Sequence, residues 1–195
     1  MTYVRAGNTE GAIEILDELI REHPLGIGEG PQQAIGAAAS FHRAKLAAAE
    51  DNISAAIDTF EAIRKHTLRT TATAPVIAAA MLAEAQLLVT RRRQHRDALT
   101  LLDMLDRDYG TVQDVGVRDS LRAALLVKAR AALELDQHDD AFQAAEKFEQ
   151  IYLHRDDLPR LPISREFYAY LLQRSRTQPE PRLEKLIESF SEIAR

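Results

Sequence analysis

The chain has 195 residues, 46% hydrophobic and 28% charged, a composition that folds into globular structure instead of staying disordered. Its formal charge of −5 argues against a general nucleic-acid binder, and the lack of cysteine excludes disulfides, thiolate catalysis and cysteine–zinc sites. No apolar run approaches the roughly 18 residues of a membrane span, and Met1 to Gly7 lack the apolar centre of a signal peptide. A cytoplasmic protein without membrane or nucleic-acid partners is therefore expected. The 31 alanines and 24 leucines outweigh 8 glycines and 7 prolines, which favours helix because Ala and Leu lose least on entering one.

In chain order, one pattern recurs. Gly7–Ile13, Asp51–Ile57, Gln94–Leu99 and Asp136–Phe142 each place a short polar turn before an alanine and a larger apolar residue. The aligned alanines, Ala12, Ala56, Ala98 and Ala141, lie 44, 42 and 43 residues apart. An amphipathic helix is predicted after each: Leu16, Leu19 and Ile20 follow Ala12, and Phe60 and Ile63 follow Ala56. Leu102 and Leu105 follow Ala98, and Ala145 and Phe148 follow Ala141. Offsets of four and seven put these groups on one stripe, and the small residue at its start lets the preceding helix approach closely.

Before every turn but the first, a partner helix is predicted, over Ala34–Glu50, Val76–Thr90 and Leu121–Leu135. The short turns between partners imply antiparallel hairpins. Linkers rich in breakers separate them at Pro24–Pro31, Thr67–Pro75, Arg107–Gly116 and His154–Pro162, and Pro24, Pro75, Pro159 and Pro162 punctuate the units. A fifth pair is predicted over Ile163–Arg176 and Arg182–Ala194, divided at Gln178–Pro181. The expected fold is all-α: a solenoid, or α–α superhelix, of four to five antiparallel hairpins in one domain over 1–195. Its units are 1–24 (incomplete), 31–66, 75–109, 117–153 and 163–195.

These residues resemble the tetratricopeptide repeat family. Ala12, Leu16, Leu19 and Pro24 match the second half of its pattern, Ala44, Ala56 and Phe60 a middle unit, and Ala129, Ala141 and Phe148 a later one. The period departs from the family's usual ~34 residues. The motif is also degenerate at Ala85 and Gln86, with one residue inserted before Ala98. Long-period arrays of this kind resemble those of bacterial multidomain proteins. Too few residues precede Gly7 for a first helix to cover Ala12, Leu16 and Leu19, so the chain is expected to be part of a larger protein or to be covered there by another subunit, as in a homo-oligomer.

Motifs with chemical associations have plainer explanations. Gly26–Gly30 lacks the strand, spacing and lysine of a phosphate loop and reads as a flexible linker. His95-Arg96-Asp97 matches a kinase tripeptide in letters only, with Asp97 expected to cap a helix starting at Ala98. His138-Asp139-Asp140 and His154–Asp157 crowd potential metal ligands onto turns, where they seldom converge, and Asp139 or Asp140 is expected as an N-cap. The basic cluster Arg91, Arg92 and Arg93 closes a helix where cations meet the carbonyl dipole, or else touches a phosphate or an acidic partner.

No catalytic set, metal site or cofactor can be assembled, so the chain is read as no enzyme; a metal or phosphate enzyme is the third reading. Resemblance to tetratricopeptide proteins implies a concave face lined by the first helices of each pair. Its exposed positions would be Phe41 and Lys45, Leu82 and Gln86, and Leu126 and Arg130. Lys45, Gln86 and Arg130 would form a polar row binding a peptide or partner protein, the basic groups pairing with its carboxylates. The alternative is a sensory or dimerisation segment of a larger bacterial regulatory protein.

Overall fold

A computed structural model describes residues 9–153, 162–179 and 181–193. Among the described residues there are nine α-helices and no strand. They are α1 (Thr9–Glu22), α2 (Gly30–Ala49), α3 (Ile53–His66), α4 (Ala74–Leu87), α5 (His95–Tyr109), α6 (Val115–Glu134), α7 (His138–Leu153), α8 (Pro162–Thr177) and α9 (Pro181–Ile193). A π-helical turn, Leu88–Arg92, extends α4.

The hairpin turns share one geometry. Asp51, Arg93 and Asp136 adopt left-handed backbone conformations, with φ of 63°, 56° and 56°. In each case the next helix starts two residues later and the hinge alanine follows five residues after the left-handed residue. Beyond Asp51, the Asn52 amide returns to the Ala47 carbonyl at 2.8 Å; beyond Asp136, the Gln137 amide returns to that of Ala132 at 2.9 Å. Beyond Arg93, the Gln94 amide reaches Leu88 O at 2.9 Å. These bonds satisfy carbonyls that a helix end leaves without partners. All four hinge alanines are buried, Ala56, Ala98 and Ala141 completely.

This geometry corrects two expected caps. Because Arg93 ends one segment, α5 begins at His95, and Asp97 lies in its first turn instead of capping a helix at Ala98. α7 likewise begins at His138, so Asp139 and Asp140 are both first-turn residues. Their carboxylates still favour the positive end of the helix dipole. The predicted helix starts were late elsewhere. Pro31 and Pro75 sit in the first turns of α2 and α4, where a missing N–H costs nothing, and so open these helices instead of closing linkers. α6 starts at Val115, six residues before the predicted Leu121, because the Asp114 carboxylate accepts the Val117 amide at 3.1 Å. The Gly7 turn, His154–Asp157 and Ala194 lie outside the described residues.

The inserted residue before Ala98 also has a structural counterpart. Ala85, fully buried, takes the small-residue position that Ala44 and Ala129 hold in α2 and α6, and the surplus is absorbed in the π turn. Such single wide turns inside helices are the usual form of π structure. Within it, the Thr90 hydroxyl donates to the Gln86 carbonyl at 2.7 Å.

Helices pack in the order expected of stacked hairpins. Each of α1 to α6 packs on its successor, α6 on α7, and α8 on α9. The first helices also pack in series, α2 on α4, α4 on α6 and α6 on α8; among the described residues the second helices α7 and α9 pack as well, whereas α1, α3, α5 and α7 make no comparable contacts with one another. This serial packing of consecutive hairpins is that of an α-helical repeat solenoid. The core falls into two clusters. Phe60, Ile63, Ile77, Met81 and Leu105 centre the first, and Phe148, Phe167, Leu171, Leu183 and Phe190 the second. α6 serves both, Val117 and Val127 facing the first and Leu126 and Leu133 the second. α4 with its π turn is long and apolar enough to cross a bilayer by length and composition alone. Here it packs against α2, α3, α5 and α6, and a helix apolar on all sides is what a core centre requires.

Two polar groups inside this packing carry definite roles. Gln33, 1% exposed, joins two successive linkers: its amide donates to Gly28 O at 2.8 Å, and its carbonyl accepts Leu68 N–H at 2.8 Å. The glycine-rich linker is therefore held in place, with Gly26 and Gly28 at φ 80° and 90°. Gly36 is needed for close packing, since a Cβ there would lie 1.8 Å from the His23 carbonyl oxygen. Glu84, buried on α4, lies 3.5 Å from Arg64 Nε of α3. Burial raises its carboxyl pKa above the ordinary 4.5 despite the opposing pull of Arg64.

Three stability outcomes follow. Gln33→Leu leaves one carbonyl and one amide without their partner and should cost about 2 kcal/mol in urea unfolding. Asp51→Gly removes the steric penalty of a left-handed side chain and should add about 1 kcal/mol at unchanged m-value, its exposed pairing with Arg91 contributing little. A raised folded-state pKa gives stability present at low pH and lost as pH rises through it. Glu84→Gln should therefore match the natural protein near about pH 4 and exceed its urea midpoint near about pH 7; equal midpoints at both would contradict this account of Glu84.

Candidate functional site

The first helices α4, α6 and α8 wall two adjoining clefts. The smaller, about 190 Å³, is lined by Gln86, Val89 and Thr90 of α4 and its π turn, Leu126 and Arg130 of α6, and Glu166 and Phe167 of α8. The larger, about 360 Å³, shares Val89, Thr90 and Arg130 with it and adds Arg93, His95, Glu134, Tyr170, Gln173 and Arg174. Arg130 thus stands at the junction of the two.

Its position follows from the helix register. Arg130 lies 44 residues after Gln86, one repeat along, and a further 44 residues reach Arg174 on α8. The Arg130 guanidinium carbon sits 4.7 Å from the centre of the Tyr170 ring, a cation–π contact that fixes the guanidinium plane. The Arg174 side chain is 10% exposed and donates from Nη2 to Asp136 Oδ1 at 3.2 Å. Among the described residues, Arg130 Nε, Arg174 Nε and His95 Nδ1 are buried without a hydrogen-bond partner, and the Tyr170 hydroxyl lies beside Glu134 and Arg174. Burial, then the neighbouring Glu134 carboxylate, pushes the Tyr170 hydroxyl well above its ordinary pKa, so it remains a neutral donor. The unpaired guanidinium Nε groups cost desolvation energy, which an anionic oxygen beside them would offset, although the Glu134 carboxylate already stands in the same cleft.

The six positions predicted for the concave face separate. Gln86, Leu126 and Arg130 come together in the smaller cleft. Leu126, expected to be exposed, is 1% exposed and belongs to the second core, because the α8–α9 hairpin covers that face of α6. Phe41 is half-buried against Phe60, ring centres 5.6 Å apart, and carries the exposed Lys45 ammonium at 5.8 Å. Leu82 is half-buried against the first core. Lys45, Phe41 and Leu82 line neither cleft.

The basic cluster divides as well. Arg91 Nη1 lies 3.5 Å from Asp51 Oδ1, and Arg92 donates to the Ser54 hydroxyl, so both turn toward the α2–α3 hairpin. Arg93, where the chain reverses, lines the larger cleft. Sequence reasoning missed Glu134, Tyr170, Gln173 and Arg174. Extending the spacing from Gln86 to Arg130 by one more repeat would have found Arg174.

Among the described residues no group of three or more His, Asp or Glu is placed to hold a metal ion. A tetratricopeptide repeat family model matches residues 1–25, the stretch containing Ala12, Leu16, Leu19 and Pro24. The match is a likeness of this stretch to tetratricopeptide repeats. No curated protein and no solved structure matches the chain.

Proposed function

We propose that the chain is a non-enzymatic scaffold that holds an extended peptide segment of a partner protein along its row of first helices. A carboxylate of that segment sits in the cleft beside Arg130. The reading takes residues 1–195 as one cytoplasmic repeat domain working without a cofactor. The observation that carries it is the pair of buried, unpaired guanidinium Nε groups of Arg130 and Arg174 in a cleft walled by three successive first helices. Neutral and cationic donors held in fixed geometry suit a carboxylate, which accepts several hydrogen bonds at once. Gln86 and Phe167, at the other end of the connected clefts, offer an amide and an aromatic edge to the residues before it. Lys45 on α2 extends the polar row toward the opposite end of the array.

The test is fluorescence anisotropy with a labelled acidic peptide of alternating Glu and Leu and a free C-terminal carboxylate. Arg130→Ala should weaken binding about tenfold or more, the scale of one lost charge-assisted hydrogen bond. Arg130→Lys should recover only part of this, because lysine keeps the charge but not the planar stack on Tyr170. A Lys45→Ala, Arg130→Ala double variant that binds like the natural protein would remove the proposal.

A further inference from the structure

The larger cleft carries more positive charge than one carboxylate would balance. Among the described residues its lining sets the guanidinium groups of Arg93, Arg130 and Arg174 against a single carboxylate, Glu134, with His95 beside them. Glu134 lies next to the Tyr170 hydroxyl. Asp136 meets Arg174 from outside this lining, and its side chain, 77% exposed, is well screened by water. Three guanidiniums less one carboxylate leave two positive charges for an occupant.

These groups come from separate parts of the fold and are set in place before any ligand arrives. Arg130 stacks on Tyr170, its guanidinium carbon 4.7 Å from the ring centre. The Arg174 side chain is 10% exposed, and its Nε, like Arg130 Nε and His95 Nδ1, is buried without a hydrogen-bond partner. Arg93 is placed by the π turn: Val89 and Thr90 of that turn line the cleft, and the chain reverses at Arg93. His95 opens α5, whose N-cap residue Gln94 makes no side-chain bond to the first amides and instead reaches Asp97 at 3.3 Å. Asp97 is exposed and does not line the cleft, so the positive end of the helix dipole adds to the same side. The adjoining smaller cleft has the opposite character, with Leu87, Val89, Leu126, Val127 and Phe167 forming its apolar part.

We infer that the larger cleft takes the phosphate of a phosphorylated serine or threonine in the partner segment in preference to a carboxylate, with an adjacent apolar residue in the smaller cleft. This rests on the peptide cleft proposed above and names the group that fills it best. A carboxylate brings one negative charge and two oxygens, whereas a phosphoserine brings about −1.5 to −2 and three strong acceptor oxygens at neutral pH. Three oxygens can meet three guanidiniums at once, and the planar N–H fork of arginine matches phosphate geometry. Phosphorylation of the partner thereby strengthens its hold on this chain. Inorganic phosphate shares the anion chemistry but has nothing to place in the apolar cleft, so the two sources differ in affinity.

The test uses three labelled peptides, identical except for serine, glutamate or phosphoserine at one central position, each with leucine beside it and an amidated C-terminus. In fluorescence anisotropy the phosphoserine peptide should bind about tenfold more tightly than the glutamate peptide, and the serine peptide most weakly. Arg93→Asn keeps a residue that tolerates the left-handed turn. It should leave the circular dichroism unchanged and cut the preference for phosphoserine over glutamate to about threefold or less. Inorganic phosphate should displace the phosphoserine peptide only at concentrations about a hundredfold or more above the Kd of that peptide. Equal binding of the glutamate and phosphoserine peptides, or a preference untouched by Arg93→Asn, overturns the inference and leaves the peptide cleft standing. Displacement by inorganic phosphate near the Kd of the peptide makes the ligand a free anion and also overturns it. If none of the three peptides binds, the peptide cleft itself falls, and the inference with it.

Discussion

The architecture depends on a reversal of the chain followed five residues later by a methyl side chain. The left-handed residue stops one helix and sets where the next begins, and the alanine then lets the two axes close at their joint. Asp51 with Ala56, Arg93 with Ala98 and Asp136 with Ala141 repeat this unit. None of the three reversing residues is glycine, so each hairpin holds a side chain in a conformation that L-residues disfavour. Packing downstream of each turn must therefore overcome a local cost, and the closed positions behind each hinge supply it. Phe60, Leu105 and Phe148 are each buried to within 1%.

Packing then turns a one-dimensional repeat into two joined cores. α6 is the common wall: it presents valines to the earlier hairpins and leucines to the later ones. The clefts form because of this arrangement. The first helices α4, α6 and α8 meet there, and Arg93, Arg130 and Arg174 line the cleft, with Arg130 stacked on Tyr170. An acidic protein thereby concentrates guanidinium groups in one recess, though its average charge points the other way.

The all-α class, the hinge alanines and the stripes behind them were legible in the sequence because they depend on spacing along the chain. Helix starts were less so. Pro31 and Pro75 looked like separators, yet a proline in a first turn lacks only a donor that would go unpaired there anyway. Asp97 had the chemistry of a cap, but backbone reversal at Arg93 had already fixed the start of α5. The candidate site was half legible: Gln86 and Arg130 followed from register, while the burial of Leu126 depended on a hairpin more than thirty residues further along. Tyr170 was not legible, because stacking against Arg130 is a relation between helices that no single helix reveals.

The wide turn at Leu88–Arg92 has a geometric consequence. One extra residue in an ordinary α-helix rotates every later side chain by about 100° and would carry Ala98 off its contact. Widening a single turn confines that phase error to five residues, so the hairpins beyond keep their facing. Arrays of this kind can thus lengthen by single residues without losing alignment, and variation in repeat length becomes compatible with an unbroken stack.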